Sequence, residues 1–76
     1  MPGLPSVSGR EAIRAFQRLG WQVHRRESSH VSLHKPGSPL LLTVPEHKEL
    51  GRGILRGLIR TAGITVAEFT AALRAN

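Results

Sequence analysis

The residues best suited to acid–base chemistry lie within the sequence RRESSHVSLHKP, at positions 25–36. His30 and His34 stand four residues apart in this segment. The same segment carries three cations, Arg25, Arg26 and Lys35. An imidazole transfers protons near neutral pH, and guanidinium and ammonium groups bind phosphate oxygens. The combination suits cleavage of a phosphodiester, although a histidine at the start of a strand is also a common surface residue.

Three strands are predicted around these residues, at WQVHRR (21–26), HVSLHK (30–35) and LLLTV (40–44). A loop at 27–29 makes one face polar and the other apolar, whereas a two-residue turn at 27–28 mixes them. The predicted cross-strand pairs are Arg26 with His30, His24 with Ser32, and Gln22 with His34. The apolar face then carries Trp21, Val23, Val31 and Leu33. The polar face is therefore predicted to be basic and rich in histidine.

Helices are predicted before and after the strands. Two capping boxes predict helix starts, Ser8 with Glu11 and Thr65 with Glu68. The first helix is predicted over about 9–19 and ends at Gly20; the second follows the apolar spacing of ILRGLIRTA and ends at Gly63. The order α-β-β-β-α-α predicts an α+β fold, a three-stranded antiparallel sheet with helices on one face. A chain of this length has room for one domain, over 1–76.

The chain is strongly basic. It has eleven Lys and Arg residues against five acidic ones, a net charge of +6. Such a charge implies an anionic partner, which can be nucleic acid, an acidic protein or a membrane surface. An arginine-rich composition can also reflect a GC-rich genome. The sequence has no cysteine, no apolar run of membrane-spanning length and no signal-peptide pattern at its start, so a cytoplasmic location is predicted.

Arginines recur at every fourth position in two of the predicted helices. These are Arg10, Arg14 and Arg18, and then Arg52, Arg56 and Arg60. Each set forms a one-sided stripe, which can be a track for phosphates, a docking surface for an acidic protein or a solvated face. His30 and His34 would lie about 13 Å apart along a strand at roughly 3.3 Å per residue, too far to share a metal ion. No metal site and no cofactor are predicted.

Four segments, in this order and at these spacings, resemble the HicA family of bacterial and archaeal toxins: LPSVSGREAIRAFQRLGW, SSH at the start of the second strand, VPEH, and GILRGLIRTAGIT. The resemblance covers about residues 4–70. It implies a small mRNA interferase with a double-stranded-RNA-binding-domain-like fold, neutralised by an acidic HicB-like antitoxin. The family's catalytic histidine lies in a Gly-Ser-His motif that opens the second strand. Ser29 and His30 match that motif, and Ser28 stands where the family has glycine.

The resemblance makes His30 the predicted catalytic residue. The predicted RNA-binding residues are Arg25, Arg26, Ser29, His34, Lys35, Arg56 and Arg60. Arg26, expected directly across from His30, would disfavour the imidazolium form and stabilise developing phosphorane charge. His47, in VPEH, is expected to serve loop structure. The main alternative function is a non-catalytic RNA-binding module of the same shape, and a DNA-binding helix-turn-helix formed by the last two helices is a weaker one.

Overall fold

A computed structural model of the protein describes residues 4–75. The elements are α1 (Gly9–Arg18), β1 (Gln22–Glu27), β2 (His30–His34), β3 (Leu41–Pro45), α2 (Arg52–Ala62) and α3 (Val66–Arg74). The three strands form an antiparallel sheet in the order β1-β2-β3. The predicted α+β architecture is confirmed, and its α-β-β-β-α-α order is consistent with a double-stranded-RNA-binding-domain-like fold. Among residues 4–75, no helix combines the length and the apolar character needed to span a bilayer.

The helix ends follow from local sequence signals. At the start of α1, Ser8 Oγ accepts a hydrogen bond from the Glu11 amide at 3.1 Å, and the Glu11 carboxylate accepts one from the Ser8 amide at 2.8 Å. The Thr65 and Glu68 pair caps α3 in the same reciprocal way. Both predicted capping boxes are therefore confirmed. Gly63, with φ of 74°, ends α2 in the left-handed conformation that glycine adopts readily.

One apolar core lies between the helices and the inner face of the sheet. Val31 and Leu33 of β2 are fully buried there, as are Leu42 and Val44 of β3. The rings of Phe16 and Phe69 meet with their centroids 5.2 Å apart, which joins α1 to α3. Every residue of β1 is exposed, so this edge strand adds little to the core. Two side chains predicted on apolar stripes, Val23 and Ile54, are 40% and 46% exposed.

The predicted register of β1 on β2 is wrong from the turn as far as His24. The observed turn is the two residues 28–29, and Glu27, not Arg26, pairs with His30. The remaining pairs are Arg26 with Val31, Arg25 with Ser32, Val23 with Leu33, and Gln22 with His34. The turn is one residue shorter than predicted, and a bulge between Val23 and Arg25 accommodates the extra residue in β1. Beyond the bulge, Gln22 pairs with His34 as predicted. The bulge also leaves His24 without the predicted partner Ser32.

Candidate active site

His30 is the first residue of β2, and its side chain is exposed. Strand residues alternate between the two faces of a sheet. Because Val31 and Leu33 point into the core, His30, Ser32 and His34 face the opposite, open side. The neighbours of His30 in the ladder are Glu27 on β1 and Pro45 on β3. The prediction of an accessible histidine at a strand start, beside a turn, is confirmed in its position.

Arg26 is not the electrostatic neighbour of His30. It pairs with Val31, so it belongs to the helix-covered side of the sheet. Its guanidinium donates to the Glu46 carboxylate, with Nη1 and Oε2 2.7 Å apart. On the open face, the residue opposite His30 is Glu27, and the next residue of β1 on that face is Arg25, two pairs along the ladder. The prediction that Arg26 lies directly across the strand pair from His30 is therefore wrong.

The turn that precedes His30 is held from outside the hairpin. The carbonyl oxygen of Ser29 accepts a hydrogen bond from the Glu46 amide at 2.6 Å. The side chain of the same residue, Glu46, forms the ion pair with Arg26. Glu46 thus ties both strands of the hairpin end to the loop after β3. Sequence reasoning missed this residue, although an acidic side chain inside the VPEH segment of a basic chain was an available signal.

The loop after β3 is in turn held against the start of α1. The Gly9 amide donates to the His47 carbonyl oxygen at 2.9 Å. A Cβ atom on Gly9 would overlap the Pro45 carbonyl oxygen and would lie 2.8 Å from the Glu46 Cα. Only glycine allows so close an approach of two backbones. The position of His30 therefore depends on a chain of backbone contacts that runs from α1 through the loop to the turn. His47 takes part in this chain through its backbone carbonyl, and its imidazole is exposed.

Ser28 has a positive φ of 53°, the one non-glycine residue among positions 4–75 with such a value. It is the first residue of the two-residue turn. Two-residue hairpin turns need positive φ at this position, where glycine has no steric cost and other residues are strained. The position that resembles the family's glycine is thus the one at which the backbone favours glycine.

The other predicted site residues fall into separate groups. His34 lies on the open face and its ring contacts that of His24, with centroids 5.4 Å apart. Lys35 follows the far end of β2, and its side chain passes 3.3 Å from where a Cβ of Gly20 would be. Arg25 and the Ser29 turn border the His30 end of the hairpin. Arg56 and Arg60 are exposed on α2, in the helical layer, so they do not share the open face with His30.

The three arginines of the first stripe, on α1, differ in their side-chain contacts. Arg18 donates from Nη1 to the Ala72 carbonyl oxygen at 2.8 Å, which satisfies a group at the end of α3. The side chains of Arg10 and Arg14 make no hydrogen bond or ion pair with the rest of residues 4–75. No cluster of three or more potential metal ligands is found within that part of the chain.

Comparison with known families decides the class of the protein. The model of the HicA toxin of bacterial toxin-antitoxin systems matches residues 9–64. The chain belongs to the HicA toxin family. A search of curated proteins found no match. The matched range runs from the first residue of α1 through the sheet and α2 to the turn before α3, so it includes His30 and the residues that hold its turn.

Membership of the HicA family assigns the chain a toxin role in a toxin-antitoxin system, and it implies an antitoxin partner. The open face of the HicA sheet, on which His30 is exposed, carries no helix of residues 4–75.

Proposed function

We propose that this HicA family toxin is an endoribonuclease that cleaves mRNA, with His30 as the group that transfers the proton. The single observation that carries the proposal is the position of His30. It opens β2 on an exposed polar face, within the range that matches the family, on a turn pinned by the Glu46 amide. A catalytic side chain needs both access to the substrate and a rigid support, and this one has both.

The proposed reaction uses the nucleophile that RNA itself carries. His30 removes the proton from a ribose 2′-hydroxyl, the 2′-oxygen attacks the adjacent phosphorus, and the bond to the 5′-oxygen of the next nucleotide breaks. The products are a 2′,3′-cyclic phosphate and a 5′-hydroxyl, which takes up one proton as it leaves. The phosphorane is more negative than the substrate phosphate, and Arg25 is the cation on the same face whose guanidinium can stabilise it. Because RNA supplies the nucleophile and arginine the charge, the proposed reaction needs no metal ion.

The proposed partners follow from the same surfaces. The substrate is single-stranded mRNA, and the antitoxin is an acidic HicB-like protein that covers the open face or the basic helices. A net charge of +6 favours both anionic partners. A non-catalytic RNA-binding module of the same fold is the second candidate, supported by the same charge and by the shape of the fold.

The test is cleavage by His30→Ala. We expect a loss of at least about 10²-fold in cleavage rate, the low end for removal of an acid–base group. Stability should change by no more than about 0.5 kcal/mol, because the side chain is exposed. The matched control is His24→Ala, which removes another exposed imidazole from the same hairpin and should keep most of the activity. Cleavage should also persist in EDTA.

Two results would count against the proposal. Full cleavage by a folded His30→Ala protein would remove His30 from the reaction. A wild-type protein that binds RNA and leaves it intact would favour the non-catalytic module instead.

A further inference from the structure

A groove runs along one side of the molecule, between α1 and the hairpin. Two adjoining cavities, of about 390 and 410 Å³, form it and share Arg10 and Glu46 in their walls. The first cavity lies between α1 and β1 and is also lined by Arg14, Gln17 and Arg26. The second lies at the start of α1, beside the loop after β3, and is also lined by Lys48 and His47. We call this surface the basic groove.

The charge of the basic groove is largely uncompensated. Glu46 is the single acidic residue among the described residues that line it, and its carboxylate is already paired with Arg26. Arg10, Arg14 and Lys48 make no ion pair or side-chain hydrogen bond within residues 4–75. Arg10 and Arg14 are one helical turn apart, about 6 Å at 1.5 Å per residue, so both guanidiniums can reach one extended anion. Neither guanidinium donates a hydrogen bond within the fold, whereas that of Arg18 does.

We propose that the basic groove binds the sugar-phosphate backbone of the RNA and directs the strand to His30. This inference rests on the proposed endoribonuclease function and adds the path of the substrate. The groove wall includes Glu46, whose amide holds the Ser29 carbonyl. Ser29 immediately precedes His30, so a strand that leaves the groove at this end can pass around the turn, from the helix-covered side of the sheet to the open face that carries the histidine. Guanidinium groups bind phosphate oxygens through two parallel hydrogen bonds, without reading sequence.

Phosphate fits the groove better than a protein surface does. The centre of a protein interface is enriched in aromatic residues, methionine and arginine, and depleted in lysine and acidic residues. The basic groove shares only the arginines with that composition. Its described lining residues also include Lys48 and Glu46, and they have no aromatic ring other than the His47 imidazole. Because the groove is positively charged, an acidic antitoxin is the alternative occupant, and the experiment must distinguish binding of the antitoxin from binding of RNA.

The experiment measures binding of an unstructured single-stranded RNA oligonucleotide to the His30→Ala protein over a series of salt concentrations. The test variant adds Arg10→Gln and Arg14→Gln. The matched control adds Arg52→Gln and Arg74→Gln, which remove the same charge at exposed positions outside the groove. Loss of two phosphate contacts should flatten the slope of log affinity against log salt by about 1.4, at about 0.7 per contact on single strands. At 0.1 M salt this corresponds to about 25-fold weaker binding, and the control should show a much smaller change.

A third variant should change RNA affinity in the opposite direction. Glu46→Gln removes the acidic wall residue and frees Arg26, so RNA should bind more tightly and the slope should steepen by about 0.7. Thermal melting of each variant shows that it is folded. This gain cannot come from damage to the fold, which would weaken binding.

The outcomes separate the groove from the proposed function. Absence of any RNA binding by a folded His30→Ala protein would overturn both. RNA binding that responds equally to the groove pair and to the control pair would overturn the groove alone. Unchanged RNA binding with weakened binding of the cognate antitoxin would assign the groove to the antitoxin and overturn the RNA path.

Discussion

Replacement of Gly9 by alanine should destabilise the protein, against the expectation from helix propensity. Gly9 is the first residue of α1, and alanine is the better helix former by about 0.5–1 kcal/mol. In the folded chain, however, an added Cβ would overlap the Pro45 carbonyl oxygen and would stand 2.8 Å from the Glu46 Cα. Both obstacles are backbone atoms, which cannot rotate away as the end of a side chain can. The start of α1 and the loop after β3 must separate.

The cost of that separation can be estimated from its parts. Overpacking of a tight interior contact costs about 1–3 kcal/mol. The Gly9 amide also donates to the His47 carbonyl oxygen at 2.9 Å, and weakening that bond adds up to about 1 kcal/mol. After subtraction of the helix-propensity gain of about 0.5–1 kcal/mol, we expect a net loss of about 1–3 kcal/mol, out of roughly 4–11 kcal/mol for a domain of this size. At about 4–8 °C per kcal/mol, the melting temperature should fall by about 5–25 °C.

The assay is thermal and urea unfolding followed by far-UV circular dichroism. Gly57→Ala is the matched control, because Gly57 lies inside α2 and a Cβ there would meet nothing within 4 Å. That change should stabilise the protein by up to about 1 kcal/mol, through helix propensity alone. A Gly9→Ala protein as stable as the wild type, within about 0.5 kcal/mol, would refute the close approach of α1 to the loop. Because the loop holds the turn before His30, Gly9→Ala should also reduce cleavage at temperatures where the variant is still folded.

Three further predictions concern the turn, the second arginine stripe and the cell. Ser28→Gly should raise the free energy of unfolding by about 1 kcal/mol by relieving the positive φ, as measured by urea unfolding, while Ser29→Gly should give no such gain. Arg56→Ala with Arg60→Ala should flatten the salt dependence of RNA binding by roughly one to two units, and an unchanged slope would assign these arginines to a partner protein or to solvent. Expression of the chain alone should arrest growth, and co-expression of the cognate antitoxin should restore it; normal growth with folded protein present would oppose the toxin role.

Local signals in the sequence predicted most of the elements. Both capping boxes form as expected, and glycines follow α1 and end α2 at the predicted positions. The alternation of Val31 and Leu33 correctly predicted that His30 lies on the open face. These signals act over two to four residues, through hydrogen bonds and side-chain periodicity that the neighbouring sequence supplies.

The arrangement around His30 was decided by tertiary structure. The register of β1 depends on a bulge, and no pattern in the strand distinguished a bulge at His24 from a longer turn. That shift moved Arg26 to the helix side of the sheet and placed Glu27 opposite His30. Arg18 looked equivalent to Arg14 along the helix until α3 supplied a carbonyl for it. Glu46 holds the turn from 17 positions along the chain, counted from Ser29. Such contacts join segments that approach each other only when the core is packed, so the sequence could indicate which residues were able to do chemistry while the folded chain decided which of them stand together.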